Sequence, residues 1–338
     1  MTEPVRYARN DGYLGLALQS AFGTAATAST HFIKYSGAPT NTPSQDFTRY
    51  NEGGDGQYPG IAVKHLHRPD GSFELFARPK IAGLLFGLLL GDHAKTGETA
   101  PFTHTIVPCD DPADLPWATI ERSVAGVLVN RISDARIQRI TVTGEAGQPI
   151  TLNVAYLGIN EGREETAQEA TYEANDPFIF WQGTYTVDGS DISSKVNRFS
   201  LEISNIFAET DQTHEHIRAY LPLIRRDISL SWNMKFNALA QYAKTYLGGA
   251  TGTTASDLIA KSSGAFIVDL AYGETTGARG LKIEIPAIYM TAAPVELDPG
   301  SNDSQEYACE GFARKASESE LVTVTVKNDE DEDYAPTS

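Results

Sequence analysis

The stretch Arg68-Pro69-Asp70-Gly71-Ser72-Phe73-Glu74-Leu75-Phe76, followed by Pro79-Lys80-Ile81-Ala82-Gly83-Leu84-Leu85-Phe86-Gly87-Leu88-Leu89-Leu90 and then Gly91, decides the fold. Its first part alternates polar and apolar residues, the period of a half-buried strand. Its second part carries proline in the first helical turn and glycine where a helix stops, so it predicts a helix. The second half of the chain repeats the unit. Arg225-Arg226-Asp227-Ile228-Ser229-Leu230-Ser231-Trp232 is a strand, and Asn237 to Leu247 predicts a second helix, capped by Asn237 and ended by Gly248. The offset is 157 residues for both Asp70/Asp227 and Gly91/Gly248.

The match extends outward. Trp117 to Arg122 is similar to Leu281 to Pro286, and Ile150 to Leu157 falls opposite Gln305 to Phe312 at a similar offset. Long arms precede both units, His31 to Arg68 in one case and Val196 to Arg226 in the other. Elsewhere the patterned segments are short and alternating. Arg136 to Thr143 and Ile150 to Tyr156, joined by the turn cluster Gly144 to Pro149, predict a hairpin. Ser200 to Phe207, Leu281 to Ile285 and Leu321 to Val326 predict further strands. Chance matches between strands and helices occur in any β protein. Here element order, spacing and glycine stops agree over most of each half. The chain is therefore expected to be mostly β: a duplicated β-sandwich with one flanking helix per copy and long arms. The expected organisation is an N-terminal arm (1–30), a first β domain (31–159), an acidic linker (160–176), a second β domain (177–327) and a flexible acidic tail (328–338).

The 338 residues carry 44 acids against 27 bases, a net charge of −17. Fourteen of those excess charges fall in two segments, Asn160 to Asp176 and Glu296 to Asp333. So negative a surface disfavours ordinary nucleic-acid binding, because it repels phosphate. No apolar run approaches the ~20 residues of a membrane-spanning helix. The N-terminus lacks the basic and apolar regions of a secretory signal, which points to synthesis in a cytosol. Two cysteines, Cys109 and Cys309, exclude a disulfide-rich scaffold and are expected to be buried free thiols in a reducing compartment.

Chemistry is sparse. There is no phosphate-binding loop and no Gly-x-Ser-x-Gly elbow. Asp110, Asp111 and Asp114 form an acidic loop rather than a calcium site, and Asp329 to Asp333 lack the turn glycine of a calcium loop. His65-Leu66-His67 and His214-Glu215-His216 have the strand spacing of metal ligands, and they define one alternative: a two-domain β-sandwich metalloenzyme using His65, His67, His214 and His216. No third ligand is nominated, so the expectation is no catalysis and no cofactor. Gly83 and Gly87, on one helix face, predict close packing on the sheet. What the sequence offers instead is interaction surface. Phe47, Tyr50, Tyr58, Phe199 and Phe207 lie in the long arms and are the candidates for contacts between subunits, where open strand edges template pairing.

The opening Asp11-Gly12-Tyr13-Leu14-Gly15-Leu16-Ala17-Leu18-Gln19-Ser20-Ala21-Phe22-Gly23-Thr24, with the extended stretch after it, resembles the start of tail tube proteins of long-tailed, non-contractile bacteriophages. The strand and helix through Arg78 to Leu85, ending at Leu90-Gly91, are similar as well. The resemblance is clearest over residues 11–91. It implies a structural subunit of the virion tail, assembled in the host cytoplasm, whose inner strands join around a ring. Rings then stack into a conduit for double-stranded DNA, with a tape measure protein, a tail terminator and a distal tail or baseplate protein as further partners. A negative inner wall would keep DNA from sticking. With two tube-like domains per chain, three chains supply the six domains that the resemblance implies for one ring.

Overall fold

The computed structural model describes residues 12–50, 60–164, 166–208, 218–235, 242–243, 260–261, 266–272, 278–292, 306–315 and 321–334. Two antiparallel sheets carry them. The larger takes β1 (Leu14–Leu18), β2 (His31–Ile33), β3 (Thr40–Tyr50) and β4 (Ile61–Phe76). After helix α1 (Pro79–Leu90), β5 (Gly91–Thr96) and β6 (Phe102–Pro108) join the smaller sheet. The larger sheet resumes with β7 (Ala118–Val124), β8 (Leu128–Glu145), β9 (Thr151–Leu157) and β10 (Asn160–Glu164). The smaller one gains β11 (Gly183–Val187) and β12 (Ser190–Asp191), and the larger one β13 (Val196–Phe207), β14 (Leu223–Lys235) and β15 (Ala260–Lys261). β16 (Phe266–Tyr272) and β17 (Arg279–Ile285) are in the smaller sheet, β18 (Ile288–Ala292) and β19 (Glu306–Ala313) in the larger, and β20 (Thr323–Asn328) in the smaller. The hairpin expected around Gly144 to Pro149 is β8 and β9.

In the larger sheet the neighbours run β3-β4-β9-β8, and then β13-β14-β19-β18. Each group is a hairpin, a strand from after the helix region, and a strand reached through a one-residue bulge. The registers agree with the sequence offset of 157. Glu74 pairs with Asn153, and Ser231 with Glu310, which is the same pair moved by 157 on both strands. The likeness does not extend to every segment. Trp117 to Arg122 lies largely in β7 of the larger sheet, whereas Leu281 to Ile285 is in β17 of the smaller, so those two segments are not equivalent. Except for Tyr242 and Ala243, which are helical, the second helix expected at Asn237 to Leu247 lies outside the described residues.

The halves are joined rather than tethered. β8 of the first half pairs with β13 of the second from Arg139↔Ser204 to Glu145↔Arg198. β6 pairs with β20 in the smaller sheet. One apolar cluster contains Leu152, Val154 and Phe86 together with Trp232, Phe266 and Val324. The segment expected to be a linker is built in as well, since β10 pairs with β8 and extends the line of β9. The expected N-terminal arm includes β1, a buried strand between β2 and β7.

Helix α1 is apolar all round and is buried accordingly: eleven of its twelve residues are inaccessible. It lies between β8 of the larger sheet and β6, β17 and β20 of the smaller. Its open ends are closed by residues distant in sequence. The Glu173 carboxylate accepts from the backbone N–H groups of Lys80 (3.0 Å) and Ile81 (3.2 Å), opposite in sign to the helix N-terminus. At the other end Gly91 adopts φ 100° and donates to the Gly87 carbonyl. Asn205 Nδ2 donates to the Leu89 carbonyl at 2.8 Å, and Arg226 donates to Leu89 and Leu90.

The acidic run expected to be a flexible tail is packed over α1 as far as the described residues extend. Tyr334 is 1% exposed. Its hydroxyl accepts from Asn328 Nδ2 at 2.6 Å, and the same amide donates to the Pro79 carbonyl. Gly83 and Gly87 both face Tyr334, so their closest packing is on this segment rather than on a sheet. The acids find cations from α1 and from distant strands: Lys80 of α1 with Glu330 (3.1 Å), Lys95 of β5 with Asp331 (2.6 Å), and Arg279 of β17 with Asp329.

Candidate assembly surfaces

Alternation along the larger sheet places apolar side chains toward α1 and the smaller sheet. Leu201, Ile203, Leu230 and Trp232 are examples. The opposite face is polar. Cross-strand register lines up two rows on it: Phe76, Thr151, Thr143, Ser200, Ser231 and Glu310 in one, and Glu74, Asn153, Thr141, Glu202, Ser229 and Phe312 in the next. The rows are dominated by hydroxyl and acidic groups. Arg139 stands beside them, and its guanidinium lies 3.8 Å from Glu202. A basic stripe that could hold phosphate is missing from these rows.

The sheet also has an extension. β4 pairs with β9 only from Gly71 to Phe76, so its first part, with β3, forms a two-stranded arm. On that arm Phe47 is 55% exposed and Tyr50 48%, with Ile61 and Val63 also exposed. These two aromatic candidates therefore stand on accessible surface. Tyr58 lies outside the described residues. The other two candidates are buried, which corrects their reading as contact residues. Phe199 is 1% exposed, packed against Phe180, Tyr185 and Phe266, because its position on β13 has core parity. Phe207 is buried with Leu115, Ile159 and Leu221.

His67 is engaged by Glu161, Nε2 to Oε2 at 3.0 Å. The side chain of His65 and the whole of His214 and His216 lie outside the described residues. Among the described residues, no three His, Cys, Asp or Glu side chains are grouped to hold a metal ion.

A pair that sequence reasoning missed is His93 and His104, one on each strand of the β5–β6 hairpin. Their rings stack at 5.2 Å, with His93 Nε2 2.9 Å from His104 Nδ1. His104 Nε2 lies 3.0 Å from the Glu330 carbonyl and donates to it, which leaves Nδ1 to accept from His93. His93 Nδ1 faces Asp333 at 3.6 Å, and both rings touch Tyr334. Burial lowers the pKa of each ring. The glycines at Gly83 and Gly87 were the local signal for a close-packed partner; nothing local pointed to these histidines.

Cys109 and Cys309 are free thiols, the first half-buried and the second buried. No helix among the described residues is long and apolar enough to cross a membrane.

These features define a mostly β protein with an accessible arm and a hydroxylated, acidic sheet face. The model of the family described as phage tail tube protein matches residues 9–311, and the chain belongs to that family. No curated protein matches the chain.

Proposed function

We propose that three copies of this chain close a ring, that rings stack into the tail tube, and that the polar face of the larger sheet lines the passage for double-stranded DNA. The observation that carries this reading is the repeated strand order β3-β4-β9-β8 and β13-β14-β19-β18 within one sheet. A chain holding two copies of one sheet unit supplies six units from three chains. The contact between units is then made alternately within and between chains, and it closes because each step is the same rotation.

The wall chemistry fits passage without capture. DNA binds strongly where cations replace its counterions. The Thr, Ser and Glu rows offer hydroxyls and negative charge instead, so DNA would slide past a surface that gains little from holding it. The arm bearing Phe47 and Tyr50 is assigned to contacts between rings. A tape measure protein inside the tube, a terminator at one end and a distal tail protein at the other complete the proposed set of partners.

Native mass measurement of assembled rings tests the stoichiometry. Three chains of 36.6 kDa give about 110 kDa. A ring of six full-length chains would overturn both the count and the duplication behind it.

A further inference from the structure

We infer that the ring is closed by an antiparallel strand pair between β18 of one chain and β3 of the next, with Ala292 opposite Thr40. The inference rests on the ring reading above and adds which edges meet, and in what register.

The protein contains a template for that joint. Within the chain the two strand groups meet where β8 pairs with β13, and there Thr141 lies opposite Glu202. Equivalent positions in the two groups follow from pairings already described. Glu74:Asn153 corresponds to Ser231:Glu310, which fixes β4 on β14 and β9 on β19. From Ser72 and Ser229, each paired across its own hairpin, Thr40 corresponds to Glu202. From Asn153 and Glu310, each paired with its bulged neighbour strand, Ala292 corresponds to Thr141. Two residues that pair inside the chain therefore have counterparts on the two outer strands of the same sheet. The next backbone pair, Ile140 with Ile203, maps onto Met290 with Asn41, with Thr291 as the extra residue of the β18 bulge between the two pairs.

Both edges can take the partner. Among the described residues β3 pairs only with β4. Among the described residues β18 is met on its outer side by β15 only at Ile288 and Tyr289, and no described strand pairs with Met290 to Ala292 on that side. In β8 the same side is divided similarly, with β7 along its first part and β13 along its second. The pairing is head-to-tail, since a β18 edge meets a β3 edge, so it produces a ring and not a closed dimer. Exposed backbone donors and acceptors at strand edges supply the attraction, and matched twist supplies the fit.

The test is the full-length double variant Thr40→Cys, Ala292→Cys, assembled and then mildly oxidised. Opposite residues of an antiparallel pair lie about 4.5–5.5 Å apart at Cα, within disulfide range. The expected result is a ladder ending at a covalent trimer, with the 40–292 linkage identified by peptide mass and absent from either single variant. The control Thr141→Cys, Glu202→Cys should close a disulfide within one chain and give no covalent oligomer. Rings that form without the 40–292 linkage would overturn this inference and leave the tube reading intact, as would dimers of the Ala292→Cys single variant, which would mean β18 meeting β18. If the double variant does not fold, cross-strand linkage of Asn41→Cys with Met290→Cys carries the same two outcomes. Unmodified protein that forms neither rings nor tubes would overturn the tube reading itself.

Discussion

Tyr334 and Gly87 are packed so closely that a β-carbon on the glycine would stand 2.6 Å from the tyrosine carbonyl oxygen. Between them they join the end of the described chain to α1, which is buried at eleven of its twelve residues. The contact turns five consecutive acids, which repel one another, into a segment held against α1.

Replacing Tyr334 with alanine should therefore destabilise the monomer by about 3–5 kcal/mol, the range for removing a buried aromatic side chain. Tyr334→Phe should cost only about 1 kcal/mol, through the lost Asn328 hydrogen bond. In an exposed helix Gly→Ala gains about 1 kcal/mol. Gly87→Ala should instead destabilise by about 1–3 kcal/mol, because overpacking outweighs propensity here. Urea denaturation of the purified monomer reads all three, and a Tyr334→Ala variant as stable as the parent would refute the packing argument.

Stability should fall as the pH drops below the ordinary histidine range. His93 and His104 are held neutral by burial, so their folded pKa values lie below 6.5. The unfolded chain takes up protons at those positions near 6.5 while the folded chain does not, and unfolding is favoured from there downward. Asp333 and Asp92 oppose the shift at His93, and Glu330 opposes it at His104, whereas Lys95 adds to both. His31, lowered by burial too, contributes in the same direction. Denaturation midpoints at pH 7.5 and 5.5 should separate for the parent and lie closer together in a His93→Asn, His104→Asn variant, in which His31 still contributes. A parent profile flat across that interval would contradict the neutral pair.

Neither thiol should react readily in the folded protein. Burial raises the pKa of both Cys109 and Cys309, and it leaves Cys309 inaccessible. Labelling with a soluble thiol reagent at pH 8 should be slow for Cys109, slower for Cys309, and complete for both only in denaturant. Rapid stoichiometric labelling of Cys309 in the native state would show the core around it to be open.

Phe47→Ser with Tyr50→Ser should leave monomer stability within about 0.5 kcal/mol of the parent, because both side chains are exposed. Tube length in electron micrographs should shorten or tubes should be lost. Tubes of parental length would remove the arm from the contacts between rings.

Strand and helix identities were legible in the residues because they depend on neighbours. The alternation through Arg136 to Thr143 and Ile150 to Tyr156 marked β8 and β9, and Pro79 and Gly91 bracketed α1. The 157-residue offset was legible too, and the pairing of Glu74 with Asn153 and Ser231 with Glu310 follows it. Other features lay beyond the sequence. Phe199 and Phe207 share an aromatic arm with accessible residues by composition alone, and only the parity of β13 against the core buries them. The linker and tail looked unattached because their charge invites solvation, yet Glu173 meets backbone donors of α1, and Lys80, Lys95 and Arg279 meet the tail from far along the chain.

The sequence by itself determined a mostly β chain, its helix α1 and a repeated strand pattern, since each is written in the spacing of residues close together. Only the tertiary structure decided that the halves share two sheets and one core, because main-chain hydrogen bonds such as those joining β8 to β13 use groups that nearly every residue carries. It alone decided that the acids lie over α1, because an ion pair is specified by where two charges meet in space, and residues more than two hundred positions apart meet only once the chain has folded.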